Sequence, residues 1–95
     1  MYFIPKEMQK LASSYDLVIE PSHKKNKKLD VYKLDGSFLV SVGDSRYPDW
    51  WIYKKLEGRD FADRRRKLYY QRHSKGIQSQ HLAEVISWLI LWNGD

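Results

Sequence analysis

Apolar positions along this chain change period several times, and each change marks an element. Met8, Leu11, Ala12 and Tyr15 recur at three- and four-residue spacing behind Pro5. Proline suits the first turn of a helix, where its missing N–H has no intrahelical partner, so a short amphipathic helix is predicted over residues 5–14. Leu17-Val18-Ile19, closed by Pro21, predicts a first strand. Leu29 to Leu34 and Ser37 to Val42 then form two β-rich runs joined through Asp35-Gly36. Asp and Gly accept the positive φ of tight hairpin turns, so residues 29–42 are predicted to be a hairpin. Alternation puts Leu29, Val31 and Lys33 on one face, and Phe38, Val40 and Val42 together on the partner strand.

Beyond Val42 the period becomes helical. Gly43 to Asp49 turns the chain, Pro48 opens a helical turn carrying Trp50, Trp51, Ile52 and Tyr53, and Gly58 interrupts it. Asp60 to His73 predicts a helix with Phe61, Ala62, Leu68 and Tyr69 inward. Asp60 and Arg64, like Asp63 and Lys67, stand at the i, i+4 spacing that supports ion pairs. Gly76 is expected to end this helix or the following loop. Ser79 then caps a last helix with Leu82, Val85, Ile86, Leu89 and Ile90 on its core face. The expected fold class is α+β in a single domain, 1–95: a three-stranded antiparallel sheet, a short N-terminal helix and two to three C-terminal helices.

The end of that last helix strains the picture. Trp88, Leu89, Ile90, Leu91 and Trp92 cover nearly the whole circumference of an ideal helix. A helix apolar all round is normally buried on every side. The expectation is therefore that Trp88, Leu91 and Trp92 meet another chain, or a second copy of this one. The plainer alternative is that the hairpin covers them. Trp50 and Trp51 point about 100° apart on a helix, so one belongs in the core and the other, Trp51, is a candidate interface anchor or base-stacking ring.

Composition adds a charge bias and removes some chemistry. With 17 Lys and Arg against 12 Asp and Glu, the net charge is +5, which favours nucleic acid, an anionic surface or an acidic protein. Cysteine is absent, so no disulfide or thiolate metal site is available. Aromatics make up 15% of the chain, with four Trp and seven Tyr, enough large rings to anchor a small core. No basic start followed by an apolar stretch opens the sequence, and the apolar run Val85–Trp92 is far shorter than the ~20 residues of a membrane span. The expected location is intracellular, in host cytoplasm or nucleus or in a virion, and not secreted.

Two basic groups are candidate nucleic-acid contacts: the loop lysines Lys24, Lys25, Lys27 and Lys28, and the helical Arg64, Arg66 and Lys67. The plainer readings are a solvated loop and a solvated helix face neutralised by Asp60 and Asp63. Arg65 and Arg72 fall on the Phe61/Leu68 side, at the core's edge, where a guanidinium needs a partner; Asp44 and Asp49 are the expected ones. His23, His73 and His81 lack metal-ligand spacing, and a triad of Ser45, His73 and Asp44 is a list almost any sequence permits. No nucleophile elbow, P-loop, Gly-rich dinucleotide turn or HExxH occurs, so neither catalysis, a cofactor, a metal nor a small-molecule substrate is expected.

The half from Gly43 onward resembles a family of small proteins encoded by large double-stranded DNA viruses and some phages. The likeness rests on Gly43-Asp44-Ser45-Arg46-Tyr47-Pro48-Asp49, on the basic helix ending Tyr69-Tyr70-Gln71-Arg72-His73, and on Leu91-Trp92-Asn93. Tyr53 stands where the family usually has His, and the stretch between His73 and Leu91 departs from its pattern. The resemblance implies a viral setting and no known activity. Together these readings predict a non-enzymatic interaction module, a small basic virion- or head-associated structural protein docking through its C-terminal helix. The alternatives are a nucleic-acid-binding protein using the 64–67 cluster and the 24–28 loop, or a host-directed inhibitor.

Overall fold

The computed structural model describes residues 1–94, and the chain gathers into two compact units, Met1–Arg46 and Tyr47–Asp95. The first holds the sheet. Helix α1 (Lys6–Ser14) starts one residue after Pro5, whose carbonyl accepts the Met8 and Gln9 N–H groups at 3.1 and 3.2 Å. It turns Met8 and Ala12 inward and packs on β1 (Leu17–Pro21), after a reversal at Asp16 with φ 58°. Strands β2 (Lys27–Lys33) and β3 (Phe38–Asp44) complete a three-stranded antiparallel sheet in the order β1-β2-β3. The turn between them is the predicted one: Gly36 has φ 90°, and the Asp35 carboxylate accepts the Ser37 N–H and hydroxyl at 2.9 and 2.7 Å. Its inner face buries Ile19, Leu29, Val31 and Val42 with Met8 and Ala12.

One position departs from strict alternation. Leu29 pairs with Val42 and Val31 with Val40, but Tyr32 pairs with Phe38, so Leu39 is an extra residue on β3. A bulge of this kind turns the residues beyond it to the opposite face. Phe38 accordingly leaves the Val40/Val42 face, stands beside Tyr32 outside, and is 50% exposed.

The second unit is helical. Asp49 caps α2 (Trp50–Glu57), its carboxylate accepting the Ile52 N–H at 3.1 Å, and Gly58, with φ 90°, separates α2 from α3 (Arg59–Gln78). Helix α3 does not stop at His73 or Gly76. A Cβ at position 76 would collide with the Glu84 carboxylate, so the glycine there makes room for the next helix. Ser79 ends α3 rather than capping α4 (Leu82–Ile86), which Gln80, at φ 59°, and His81 lead into. Helix α4 runs directly into a π-helical turn, Ser87–Leu91, closed by the Trp92 N–H on the Ser87 carbonyl at 3.1 Å. Trp50, Ala62, Tyr69, Ile86, Ile90, Leu91 and Trp92 make the core of this unit. Leu68, expected inward, is 42% exposed, because Ala62 and Tyr69 define a buried line on α3 that Leu68 falls outside. Among the described residues no helix is long and apolar enough to cross a membrane.

Candidate partner-binding surfaces

The C-terminal apolar end does not wait for a second chain. Leu91 is 1% exposed and Trp92 7%, so both are buried rather than open to a second chain. Trp92 stacks on Tyr69 at 4.5 Å between ring centres and meets Tyr53 at 6.2 Å. Trp51 is half-buried and held by its indole N–H, which donates to the Ile90 carbonyl at 2.8 Å. Trp88 is half-buried against Tyr70 (4.9 Å), and a Cβ at Gly94 would overlap its indole. The π turn is what reconciles this crowding. An ideal α-helix would spread Trp88 to Trp92 around its circumference, whereas the wider turn brings Ile90, Leu91 and Trp92 into one core. What stays open is the other side of α4. There Leu82, 48% exposed, with Val85, Leu89, Trp88, Tyr70 and Ile77 lines a groove of about 410 Å3.

The basic helix sorts its charges differently from expectation. Asp63 does not pair with Lys67. It accepts from Arg66 at 3.1 Å and from the Trp50 indole at 2.9 Å, and lies 4.0 Å from Arg59. Arg66 also donates to the Asn93 carbonyl at 2.8 Å and lies over the Trp50 ring, so it fastens α3 to the chain's end and is not a free phosphate contact. Arg64 lies over Phe61 and Arg65 over Tyr53. Arg65 therefore finds a ring rather than the carboxylate of Asp49, which caps α2, and Arg72 is simply exposed. Asp44 is taken by its neighbour Arg46, in a two-pronged pair at 3.0 and 2.8 Å that draws its carboxyl down to about 2. Arg64, Lys67, Gln71 and Lys75 share one exposed face of α3. Among the described residues no carboxylate stands within ion-pair distance of these three cations or of Arg72.

The 24–28 loop is more ordered than a solvated lysine run. Lys28 belongs to β2, is 3% exposed and points its amine at the Tyr2 ring 5.3 Å away, which removes it from the contact set. Lys24, Lys25 and Lys27 remain exposed. Their turn is pinned by the buried Asp30, which accepts the Ser22 and Ser41 hydroxyls, both at 2.6 Å, and the His23 N–H at 3.4 Å. Burial alone would push the Asp30 carboxyl up, but these hydrogen bonds outweigh it and the carboxyl titrates below its ordinary range. Ser22 in turn accepts the Lys24 N–H at 3.0 Å, and the Lys24 amine stands 5.3 Å over the Phe38 ring.

Sequence reasoning missed one further cluster. Glu84 on α4 receives His73 of α3 at 3.0 Å and stands 3.6 Å from His81, over the gap that Gly76 leaves. Only the helix crossing brings these three together. Tyr69 stacks on His73 and donates to the buried Ser87 hydroxyl at 3.0 Å. His73 is thus the middle of a packed clasp that joins α3 to α4. No family model, no curated protein and no solved structure matches this chain.

Proposed function

We propose that the chain is a non-enzymatic binding module whose ligand is nucleic acid, engaged through the exposed face of α3. The observation that carries the reading is that, among the described residues, no carboxylate lies within ion-pair distance of Arg64, Lys67 or Lys75, although Asp60 shares their face. A basic helix is ordinarily a solvated face balanced by carboxylates at i±3 and i±4. Here Asp63 is drawn to Arg66, Arg59 and Trp50. Arg64, Lys67 and Lys75 are left as a row of cations spanning about 16 Å of helix at 1.5 Å per residue. Such a row suits the repeating charge of a phosphate backbone, and phosphate contacts by Arg and Lys dominate non-specific affinity. In the viral setting that the resemblance from Gly43 onward implies, packaged or replicating genome would be the ligand.

A titration tests this. Anisotropy of labelled duplex and single-stranded oligonucleotides should report binding at about 50 mM salt that is lost steeply as salt rises. No binding of either oligonucleotide at low salt removes the proposal. The second reading is docking to a protein through α4, and it is favoured by the apolar groove of Leu82, Val85, Leu89 and Trp88. That contact would bury apolar area and vary little with salt.

A further inference from the structure

We infer that the outer face of the sheet is a stacking platform for unpaired bases, with Phe38 and Tyr32 as its rings and Lys24 and Lys25 as its phosphate contacts. The inference rests on the nucleic-acid reading above and names its ligand as single-stranded.

The bulge at Leu39 is the first ground. Without it Phe38 would face the sheet's interior; with it the ring stands half in water beside Tyr32. Bulges re-aim side chains near functional sites, and an aromatic ring turned to solvent forgoes the burial that Val42 obtains. The two rings meet edge to face at 5.7 Å, and Tyr32 is fixed in place by donating its hydroxyl to Glu20 at 2.9 Å. Val18, 46% exposed, continues the row on β1, opposite Tyr32.

The second ground is the placing of the lysines. The Asp30–Ser22–Lys24 chain of hydrogen bonds holds the basic turn against this same face, and it brings the Lys24 amine over Phe38. Among the described residues Lys24 and Lys25 have no carboxylate within ion-pair distance, whereas Lys27 stands across from Asp44 and acts on its carboxylate. Glu20 is the one exposed acid of the ring row, and it is engaged by Tyr32 and lies 3.9 Å from His23. A half-exposed ring beside Tyr32, with the Lys24 amine over it and Lys25 in the same turn, fits the charge and shape of a single strand. A duplex hides its base faces and would gain nothing from Phe38.

The test uses an oligothymidylate of about 12 nucleotides, within the usual site size, and the same backbone with abasic positions. Wild-type protein should bind the thymidylate more tightly than the abasic strand. Phe38→Ala should weaken thymidylate binding roughly 5- to 150-fold, the range for one stacked base, while leaving abasic binding unchanged. Phe38→Trp, which keeps a ring, should restore it; Lys24→Gln should weaken both strands alike. Equal binding of both strands, or Phe38→Ala and Phe38→Trp both indistinguishable from wild type, overturns the platform and leaves the α3 reading standing. Wild-type protein that binds neither strand nor a duplex overturns both.

Discussion

Removing three charges from α3 should change how binding responds to salt far more than it changes the fold. In the variant Arg64→Gln/Lys67→Gln/Lys75→Gln each lost phosphate contact takes roughly 0.9 from the slope of log K against log salt on duplex DNA, or roughly 0.7 on a single strand. Three contacts therefore lower the slope by roughly 2 to 3. Over a fourfold rise in salt, wild-type protein should lose about 30-fold more affinity than the variant. All three residues are exposed or make only a ring contact, so each replacement should move stability by about 0.5 kcal/mol or less. Arg66→Gln is the control that gives the experiment its edge. It removes the same unit of charge, but this guanidinium is held by Asp63, the Asn93 carbonyl and the Trp50 ring. Its loss should leave the slope unchanged and cost about 1.5–3 kcal/mol of stability, the worth of hydrogen bonds to a charged group. Anisotropy titrations at four or five salt concentrations, with urea unfolding alongside, separate the two effects. If the triple variant keeps the wild-type slope, the α3 face makes no phosphate contacts; if Arg66→Gln lowers the slope by roughly 0.9 as well, net charge rather than the α3 face governs binding.

Two further outcomes follow from burial. Leu91→Ala should destabilise the protein by about 2–5 kcal/mol in urea unfolding, as deletion from a closed core does; a loss below about 0.5 kcal/mol would return Leu91 to the role of a docking residue. Asp30 carries a pH signature. Its folded carboxyl titrates below the unfolded value, so its contribution is complete above an unfolded pKa of about 3.9 and is lost as pH falls through the folded one. Asp30→Asn should therefore reduce urea midpoints at pH 7 and converge on wild type in strong acid, and parallel curves across that range would contradict the geometry.

Local patterns carried most of the fold. Asp35-Gly36 between two β-rich runs specified the hairpin, and helical spacing specified α1 and the start of α3, because each signal lies within a few residues of the structure it encodes. The misplacements all need information from elsewhere in the chain. Phe38 was assigned inward since nothing in the alternation announces Leu39 as the extra residue. Gly76 read as a stop because a helix-breaking residue is expected at an end, whereas its reason lies in Glu84, eight residues on. Lys28 read as loop because it follows four polar residues, although alternation with Leu29 already set it opposite the core, on the face of Asp30.

The candidate surfaces show the same division, and it bears on function. Counting apolar residues around an ideal helix left too many to bury, and a docking partner was the remedy. A single π turn removes the need for one, since it alters the angular step on which the count depends and lets Ile90, Leu91 and Trp92 share a core. The charges moved the opposite way. Spacing alone paired Asp63 with Lys67, yet the Trp50 indole and Arg66 hold that carboxylate instead. Lys67, expected to pair within the chain, is thereby left with no carboxylate at ion-pair distance among the described residues, and Leu91 and Trp92, expected to seek a partner, are buried. With the α4 groove as the apolar remainder, the exposed chemistry of the helical unit is weighted towards unpaired cations. An anionic polymer is the partner that accounts for them most directly.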